Sequence, residues 1–206
     1  MKDALVPLKL HLGCGDNILR GWENIDHPKS RTKQVANRKM DITNREHWEH
    51  YEDKIVEYIY TEHTIEHLEY KDAKVMLEES YKTLKSGGAI RIATPDLCFL
   101  TELMNEDKTE VQEEYIDYSV SNIAYNVDIP FESVIINNFL TDWGHKFIYD
   151  YKLLSHLLKE VGFNEIKECE IGISDIEDFS KLENKQKRVK RKLYELETFV
   201  VEAKKL

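Results

Sequence analysis

The 206-residue chain lacks any apolar run approaching the ~18 residues of a membrane span, and its N-terminal stretch has no hydrophobic segment long enough for a signal peptide. Cysteine is scarce, with only Cys14, Cys98 and Cys169, and their spacing fits neither a metal site nor a disulfide framework. These absences predict a protein of the reducing cytoplasm that has no membrane partner.

Positive charge is also in deficit. The chain has 29 Lys and Arg residues against 39 Asp and Glu residues, which gives a formal net charge of −10. Nucleic-acid binding depends on the neutralisation of phosphates by Lys and Arg, so the composition argues against a nucleic-acid partner. One local exception is the basic run 185–192. We interpret it as a solvated surface segment, and the alternative is a patch for an acidic substrate or partner.

Two phosphate-binding signatures are missing as well. No segment matches the G-x-x-x-x-G-K-[ST] phosphate loop, and the glycine pair of Gly13 and Gly15 lacks the third glycine of G-x-G-x-x-G, because residue 18 is isoleucine. Asp26 follows Gly15 by only eleven residues, which is too short for the helical crossover of a dinucleotide-binding fold. These absences exclude the common nucleotide-phosphate sites.

The residues that are present still predict a cofactor site. A short apolar strand at 8–12 runs directly into Gly13-Cys14-Gly15, and a second strand at 22–26 ends in Asp26. A glycine pair after a buried strand lets backbone amides approach a ligand closely. A carboxylate at the end of the next strand accepts hydrogen bonds from both hydroxyls of a ribose. The pattern indicates a nucleoside-containing cofactor without phosphates.

Several segments, in order along the chain, resemble motifs of class I S-adenosylmethionine-dependent methyltransferases. They are LHLGCG at 10–15, MDI at 40–42, YIYTEHTIEHL at 58–68, LKSGGAIRIATPD at 84–96, GHKFIYD at 144–150, LLKEVGF at 157–163 and ETFVVEAK at 197–204. The EHTIEHL and GHKFIYD segments resemble those of a bacterial subgroup of predicted methyltransferases. The resemblance covers the chain from about residue 8 to its last residues.

The resemblance implies an α/β fold: a Rossmann-like domain with a mostly parallel seven-stranded sheet, helices on both faces and an antiparallel last strand. Length favours one domain over residues 1–206.

The pattern of predicted elements agrees with this fold, because predicted strands and helices alternate along the chain. Further strands are predicted at 55–61, 89–93, 165–171 and 198–203, and amphipathic helices at 72–84, ended by Gly87-Gly88, and at 150–161, capped by Asp150 and closed by Gly162. Thr43 and Glu46 have the spacing of a capping box for another short helix.

The cofactor that the resemblance implies is S-adenosylmethionine. The residues that would bind it are Gly13, Cys14, Gly15, Asp26, Asp41, Ile42, Glu62 and His63. The backbone of the glycine turn would hold the methionine end, and Asp26 would bind the ribose hydroxyls. Asp41 and the backbone of Ile42 would contact adenine. Glu62 and His63 would line the same site.

Residues 63–67 also match H-x-x-E-H, the signature of inverted zinc peptidases. On one face of a helix, His63 and His67 would ligate zinc while Glu66 activated water. The motif directly follows an apolar strand, however, and no downstream pair of acids stands out as a third ligand. We therefore expect no metal at this motif, and we expect Glu66 and His67 to orient the loop by hydrogen bonds.

Residues 97–148 form an irregular insertion that would lie outside the carboxyl ends of the strands, where open parallel sheets bind ligands. We expect it to form a lid or substrate pocket; the alternative is a pair of surface helices. Within it, His145 follows Trp143-Gly144. We consider His145 either a general base that contacts the acceptor or a cap of the following helix, and His63 is the second candidate base.

The expected function is transfer of a methyl group from S-adenosylmethionine to a small-molecule or glycan-precursor acceptor in the cytoplasm. Whether the acceptor atom is oxygen, nitrogen or carbon stays open. The alternative function is that of a methyltransferase-like protein that binds the cofactor, or a related nucleoside, without catalysing transfer.

Overall fold

A computed structural model describes residues 7–30, 36–122, 129–185 and 190–206, which together form a seven-stranded β-sheet. The strands are β1 (Leu8–Leu12), β2 (Glu23–Asp26), β3 (Arg38–Lys39), β4 (Val56–Glu62), β5 (Leu84–Pro95), β6 (Asn164–Cys169) and β7 (Thr198–Lys204). Their order across the sheet is β3-β2-β1-β4-β5-β7-β6. Six strands are parallel to one another, and β7 is antiparallel to both β5 and β6. This topology confirms the expected Rossmann-like sheet with an antiparallel last strand.

One face of the sheet is apolar and packs against helices. The described residues form the α-helices α1 (Arg45–Trp48), α2 (Tyr70–Thr83), α3 (Leu97–Glu102), α4 (Glu110–Asn122), α5 (Glu132–Thr141), α6 (Tyr151–Val161) and α7 (Arg191–Glu197). Ile59 of β4 and Ile92 of β5 are fully buried in one cluster with Leu77 of α2 and Leu157 of α6. Burial stabilises by about 1.5–3 kcal/mol for each such side chain, so this layer holds α2 and α6 against the sheet.

The opposite face of the sheet carries a row of buried polar side chains. The strand register places them side by side: Asn24, His11, Tyr60, Arg91 and Glu202. Arg91 donates hydrogen bonds of 2.6 Å to Glu202 and to Glu183. Phe179 and Leu182, from two short 3-10 helices, cover this face together with Tyr194 of α7. Helices therefore lie on both faces of the sheet, as expected.

The late helix α6 begins and ends where the sequence predicts. The side chain of Asp150 caps it by accepting a 2.6 Å hydrogen bond from the backbone N–H of Leu153. Gly162 ends it with φ +119°, a conformation that L side chains rarely adopt. The predicted helix at 72–84 also forms, as α2, although it begins two residues earlier, at Tyr70.

Two of the predicted element ends are wrong. Gly87-Gly88 does not end α2, because β5 begins directly at Leu84 and contains both glycines. Gly88 instead allows close contact with β4, since a Cβ on Gly88 would lie 2.9 Å from the carbonyl oxygen of Glu57. The short helix α1 is capped by Asn44, whose side chain accepts a hydrogen bond from the N–H of Glu46, and not by Thr43.

The insertion at 97–148 is more regular than expected, because it contains α3, α4 and α5. These helices share an apolar cluster with α7, in which Phe99, Tyr115, Ile135 and Leu193 are buried. Among the residues that the structure describes, no helix is long and apolar enough to cross a membrane. In the basic run, 186–189 lie outside the described residues, and Lys190 and Lys192 both form ion pairs with Glu114.

Candidate active site at the carboxyl ends of four strands

The carboxyl ends of β1, β2, β3 and β4 meet at one edge of the sheet because the four strands are parallel neighbours. A cavity of about 540 Å³ opens there. Five of the sequence-predicted site residues line it: Gly13, Asp26, Asp41, Ile42 and His63. The other lining residues are His27, Ser30, Met40, Thr43, Thr64, His67, Leu68, Glu69, Asp72 and Lys146. Cys14, Gly15, Glu62 and His145 do not line this cavity.

The turn after β1 is built for close packing. Gly13 has φ +66°, and a Cβ added to it would lie 2.2 Å from Oγ1 of Thr64. The backbone N–H of Cys14 donates a 2.9 Å hydrogen bond to the carbonyl of Ile25, which ties the turn to β2. Burial raises the pKa of the Cys14 thiol to about 11, so this side chain is a neutral thiol at physiological pH. The turn therefore contributes backbone to the site.

The connection from β1 to β2 contains no helix, as the short spacing predicts. Hydrogen bonds of the Asn24 side chain fix the shape of this connection. The Asn24 side chain accepts a 2.8 Å hydrogen bond from the N–H of Leu19 and donates a 2.9 Å hydrogen bond to the carbonyl of the same residue. This pairing folds the connection into a compact loop and brings Asp26, at the end of β2, beside the glycine turn.

Asp26 and Asp41 give one end of the cavity a negative character. Asp26 is buried; its Oδ1 accepts a 2.9 Å hydrogen bond from the N–H of His27, and its Oδ2 lies 3.5 Å from Nζ of Lys39. Asp41 accepts hydrogen bonds from the N–H and the hydroxyl of Thr43, at 3.0 and 2.7 Å. Burial opposes ionisation of Asp41, but the bonds from Thr43 outweigh it and hold the pKa of Asp41 below its ordinary value.

Glu62, the last residue of β4, lies behind the cavity wall. Its carboxylate accepts a 2.7 Å hydrogen bond from the hydroxyl of Tyr194 and a 3.3 Å hydrogen bond from Asn17. Asn17 belongs to the β1–β2 loop and Tyr194 to α7, so Glu62 connects the glycine turn to the far side of the site. The structure thus places Glu62 in contact with the β1–β2 loop, and Glu62 does not line the cavity.

His63 lies among buried carboxylates. Its Nδ1 lies 3.2 Å from Oε1 of Glu66, and its Nε2 lies 3.4 Å from the hydroxyl of Thr198. Burial alone would lower the pKa of His63, but the bond to Glu66 and the charges of Glu66, Glu197 and Glu62 raise it to about 9. At neutral pH the ring is therefore an imidazolium that donates through both nitrogens.

His145 is held in one tautomer by the backbone. Its Nδ1–H donates a 2.7 Å hydrogen bond to the carbonyl of Phe139, which leaves the lone pair on Nε2. Burial lowers the pKa of His145, so the ring is neutral at physiological pH. The ring lies against that of His67, with the centroids 4.9 Å apart. Because Asp150 caps α6, the interpretation of His145 as the helix cap is wrong.

The ring of His145 reaches His67 through a tight turn. Trp143 and Gly144 both have positive φ, +56° and +80°. The next N–H groups, of Lys146 and Phe147, donate to the carbonyl of Glu66 at 2.7 and 3.2 Å. These bonds fasten the segment after α5 onto the loop after β4, so that His67 and Lys146 both line the cavity.

The H-x-x-E-H motif does not adopt the geometry of a zinc peptidase. Ile65–His67 forms a 3-10 turn, and the two histidines diverge. His63 contacts Thr198 and the ring of Tyr194, whereas His67 contacts His145. Glu66 is fully buried between the two histidines and orients the loop through hydrogen bonds, as expected.

The fold is shared with solved structures of methyltransferases. A SAM-dependent methyltransferase from Archaeoglobus fulgidus matches with a TM-score of 0.56 at 16% identity, over 97% of this chain and 86% of that chain. One from Thermotoga maritima, described as a possible histamine N-methyltransferase, matches with a TM-score of 0.52 at 15% identity, over 99% and 84%. Human N-acetylserotonin methyltransferase in complex with SAM matches with a TM-score of 0.50 at 14% identity, over 97% of this chain but 47% of the human one.

Sequence comparison adds no closer relative. No family model matches the chain, and no curated protein matches it in sequence. At identities of 16% and below, the structural similarity establishes the fold. The chain therefore has the fold of SAM-dependent methyltransferases, and its chemistry must be argued from its own residues.

Proposed function

We propose that this protein is an S-adenosylmethionine-dependent methyltransferase of the bacterial subgroup whose EHTIEHL and GHKFIYD motifs it resembles. One observation carries the proposal. Gly13, Asp26 and Asp41, which lie at or just after the ends of three parallel strands, line the same cavity of about 540 Å³ in a methyltransferase fold. Open parallel sheets bind their ligands at this edge.

The residues that line the cavity fit the cofactor. Gly13 adds no side chain of its own at the cavity wall, and the carboxylate of Asp26 would accept hydrogen bonds from the ribose hydroxyls. Asp41, together with the backbone of Ile42, would contact adenine, and the flanking Met40 supplies an apolar wall. When bound, S-adenosylmethionine supplies an electrophilic methyl group, so the work of the protein is binding, orientation and electrostatics.

For a hydroxyl acceptor, we propose His145 over His63 as the general base. A base must have a free lone pair, and His63 is an imidazolium near neutral pH because three buried glutamates stabilise its charge. His145 is neutral, and its hydrogen bond to the carbonyl of Phe139 leaves Nε2 as the proton-accepting atom. His63 would then serve as a fixed positive group that orders Glu66 and Thr198 beside the site.

The acceptor in this proposal is a small molecule or glycan precursor in the cytoplasm. The chain is strongly acidic, and Lys190 and Lys192 of its basic run are already paired with Glu114. We propose the insertion at 97–148 as the part of this one domain that shapes the acceptor pocket. Its end is fastened to the β4 loop by the bonds from Lys146 and Phe147 to Glu66, which supports this role.

Calorimetric titration with S-adenosylmethionine and S-adenosylhomocysteine tests the proposal first. We expect one molecule to bind per chain, and absence of binding to both would refute the proposed function. A labelled-methyl assay against panels of hydroxylated and amino-bearing small molecules and sugar nucleotides then separates an enzyme from the alternative, a cofactor-binding protein without transferase activity. Transfer to any acceptor that depends on His145 supports the enzyme.

A further inference from the structure

Three side chains beside the cavity form a group with the composition of a metal site. They are Glu66, His67 and His145, and one ligand atom from each lies within 4.8 Å of the other two. Two of them come from the loop after β4, and the third comes from a segment nearly eighty residues later. The sequence motif at 63–67 lacked a third ligand, and the fold supplies one that is distant in sequence.

His145 is oriented as metal-binding histidines usually are. Such histidines donate the N–H that is not used for the metal to a carbonyl or carboxylate, which fixes the tautomer and the ring orientation. Nδ1–H of His145 donates to the carbonyl of Phe139 at 2.7 Å, so Nε2 keeps its lone pair. The positive φ angles of Trp143 and Gly144 form the tight turn that brings this ring against His67.

The carboxylate of Glu66 is held by hydrogen bonds from neighbouring side chains, as metal-binding carboxylates usually are. The side chain is fully buried; Oε1 lies 3.2 Å from Nδ1 of His63, and Oε2 accepts a 3.1 Å hydrogen bond from the hydroxyl of Thr94. Each oxygen has a second lone-pair direction, so these bonds orient the carboxylate and leave capacity for a cation. Two further backbone bonds to the Glu66 carbonyl hold its loop against the His145 segment.

His67 connects this group to the cavity. Its side chain is solvent-exposed and lines the cavity wall. Ligand atoms around an ion with bonds of about 2.0–2.2 Å lie roughly 3–3.5 Å apart, so the three ligand atoms, now within 4.8 Å of one another, would approach by about one to two ångströms when an ion binds. Three protein ligands leave open coordination positions for water or substrate, and here those positions would face the rim of the cavity.

We propose that Glu66, His67 and His145 bind one divalent first-row transition-metal ion at the rim of the cofactor cavity, and that its open positions hold oxygen atoms of the methyl acceptor. Two imidazoles and one carboxylate suit Mn²⁺, Co²⁺ or Zn²⁺ better than Mg²⁺ or Ca²⁺, which prefer oxygen ligands. Metal binding itself is independent of the proposed function, whereas the role toward the acceptor depends on it.

The metal and the general-base role compete for the same lone pair. With an ion on Nε2, His145 cannot accept a proton from the acceptor. The ion would then hold the acceptor oxygen by direct coordination and lower the pKa of its hydroxyl, so that the proton would leave to water and the oxygen would displace S-adenosylhomocysteine from the methyl group. The site would favour acceptors with two neighbouring oxygen donors, such as a diol or a hydroxy acid. If an ion is bound to His145, we therefore expect turnover to require added metal. If His145 is the general base, we expect turnover without metal.

Metal binding is tested on metal-stripped protein. Binding of Mn²⁺ is monitored by electron paramagnetic resonance, and binding of Co²⁺ is monitored by its visible absorption. We expect one ion per chain in the wild type and affinity at least about tenfold weaker in His67→Ala and His145→Ala. His67→Ala is the primary variant, because this exposed side chain leaves the core intact. His156→Ala, which removes an exposed histidine on α6, is the matched control and should bind like the wild type.

S-adenosylhomocysteine binding by each variant verifies its fold and keeps the two proposals distinguishable. Variants that bind S-adenosylhomocysteine normally but have lost Mn²⁺ and Co²⁺ support the site. Equal metal affinity in the wild type, His67→Ala and His145→Ala overturns it, whatever the outcome for the cofactor. Turnover that survives removal of all metal but is lost in His145→Ala overturns the metal's role toward the acceptor and leaves the methyltransferase proposal standing.

Discussion

Thr64 lies directly over Gly13, so that a Cβ on Gly13 would sit 2.2 Å from the Thr64 hydroxyl oxygen. Gly13 also has φ +66°, which costs about 1–2 kcal/mol for a residue with a side chain. Because Thr64 belongs to the loop after β4, this contact links the two loops that the cofactor would touch. The glycine is required by packing as well as by backbone conformation.

Gly13→Ala is therefore expected to lower the free energy of unfolding by about 2–5 kcal/mol, the sum of the φ cost and an overpacking cost of about 1–3 kcal/mol. Urea denaturation measures it. Gly21→Ala is the matched control, because Gly21 has φ +83° but nothing within 4 Å of its Cβ position. That variant should lose only about 1–2 kcal/mol. Equal losses in the two variants would show that Thr64 does not crowd Gly13.

Asp26→Asn should weaken binding of S-adenosylmethionine by about 1.5–3 kcal/mol, the scale for losing hydrogen bonds to a charged group. Asparagine keeps an oxygen that can accept from the N–H of His27, so the loop itself is preserved. Isothermal titration calorimetry gives the affinity. Asp178→Asn, in a partly buried ion pair with Lys9 outside the cavity, is the control and should bind normally. Wild-type affinity in Asp26→Asn would remove Asp26 from the ribose role.

The parts of the site that follow from local patterns were predictable. Gly13, Asp26 and Asp41 each stand at the end of a strand or within two residues of it, and the ends of neighbouring parallel strands share one edge of a sheet. His67 and Lys146 line the same cavity, but their positions depend on backbone bonds between residues that are eighty positions apart in the chain. Neither spacing nor periodicity indicates such a pairing, so the sequence placed neither residue at the cofactor cavity.

The difference between local patterns and contacts over long sequence distances also explains which ends of helices and strands were predicted correctly. Asp150 and Gly162 delimit α6 through local hydrogen bonds and a local backbone conformation, and both were predicted from the sequence. Gly88 resembles a helix stop but serves a contact with the carbonyl of Glu57 on the neighbouring strand. The insertion at 97–148 forms helices because its apolar residues pack against α7, which begins at Arg191, far beyond the end of the insertion.

Glu183→Ala should destabilise the fold by about 3–5 kcal/mol, because it leaves the guanidinium of Arg91 buried with one carboxylate fewer. Arg91 is fully buried and donates to Glu183 and Glu202 at 2.6 Å. The measurement is urea unfolding at neutral pH. Asp175→Asn serves as the comparison, since its exposed ion pair with Lys167 is worth about 1 kcal/mol at most. A loss below 1 kcal/mol in Glu183→Ala would mean that water reaches Arg91.

His145→Ala should leave the affinity for S-adenosylhomocysteine within a few-fold of the wild type, because His145 does not line the cofactor cavity. Turnover should fall by about 10²–10⁴, whether His145 acts as the general base or as a ligand of the ion that positions the acceptor. The measurement is a labelled-methyl assay with an acceptor found in the panel. His156→Ala is the control, since this exposed histidine of α6 does not line the cavity and should support normal turnover.

The comparison of His145→Ala with His63→Gln separates the two histidines. His63 is an imidazolium that lies between Glu66 and Thr198, so glutamine, which can still donate a hydrogen bond, should retain part of the turnover. His145→Gln has no imidazole lone pair at Nε2 and should be as inactive as His145→Ala. Full turnover in His145→Ala, together with loss of turnover but normal cofactor affinity in His63→Gln, would reverse the assignment and make His63 the residue that acts on the acceptor.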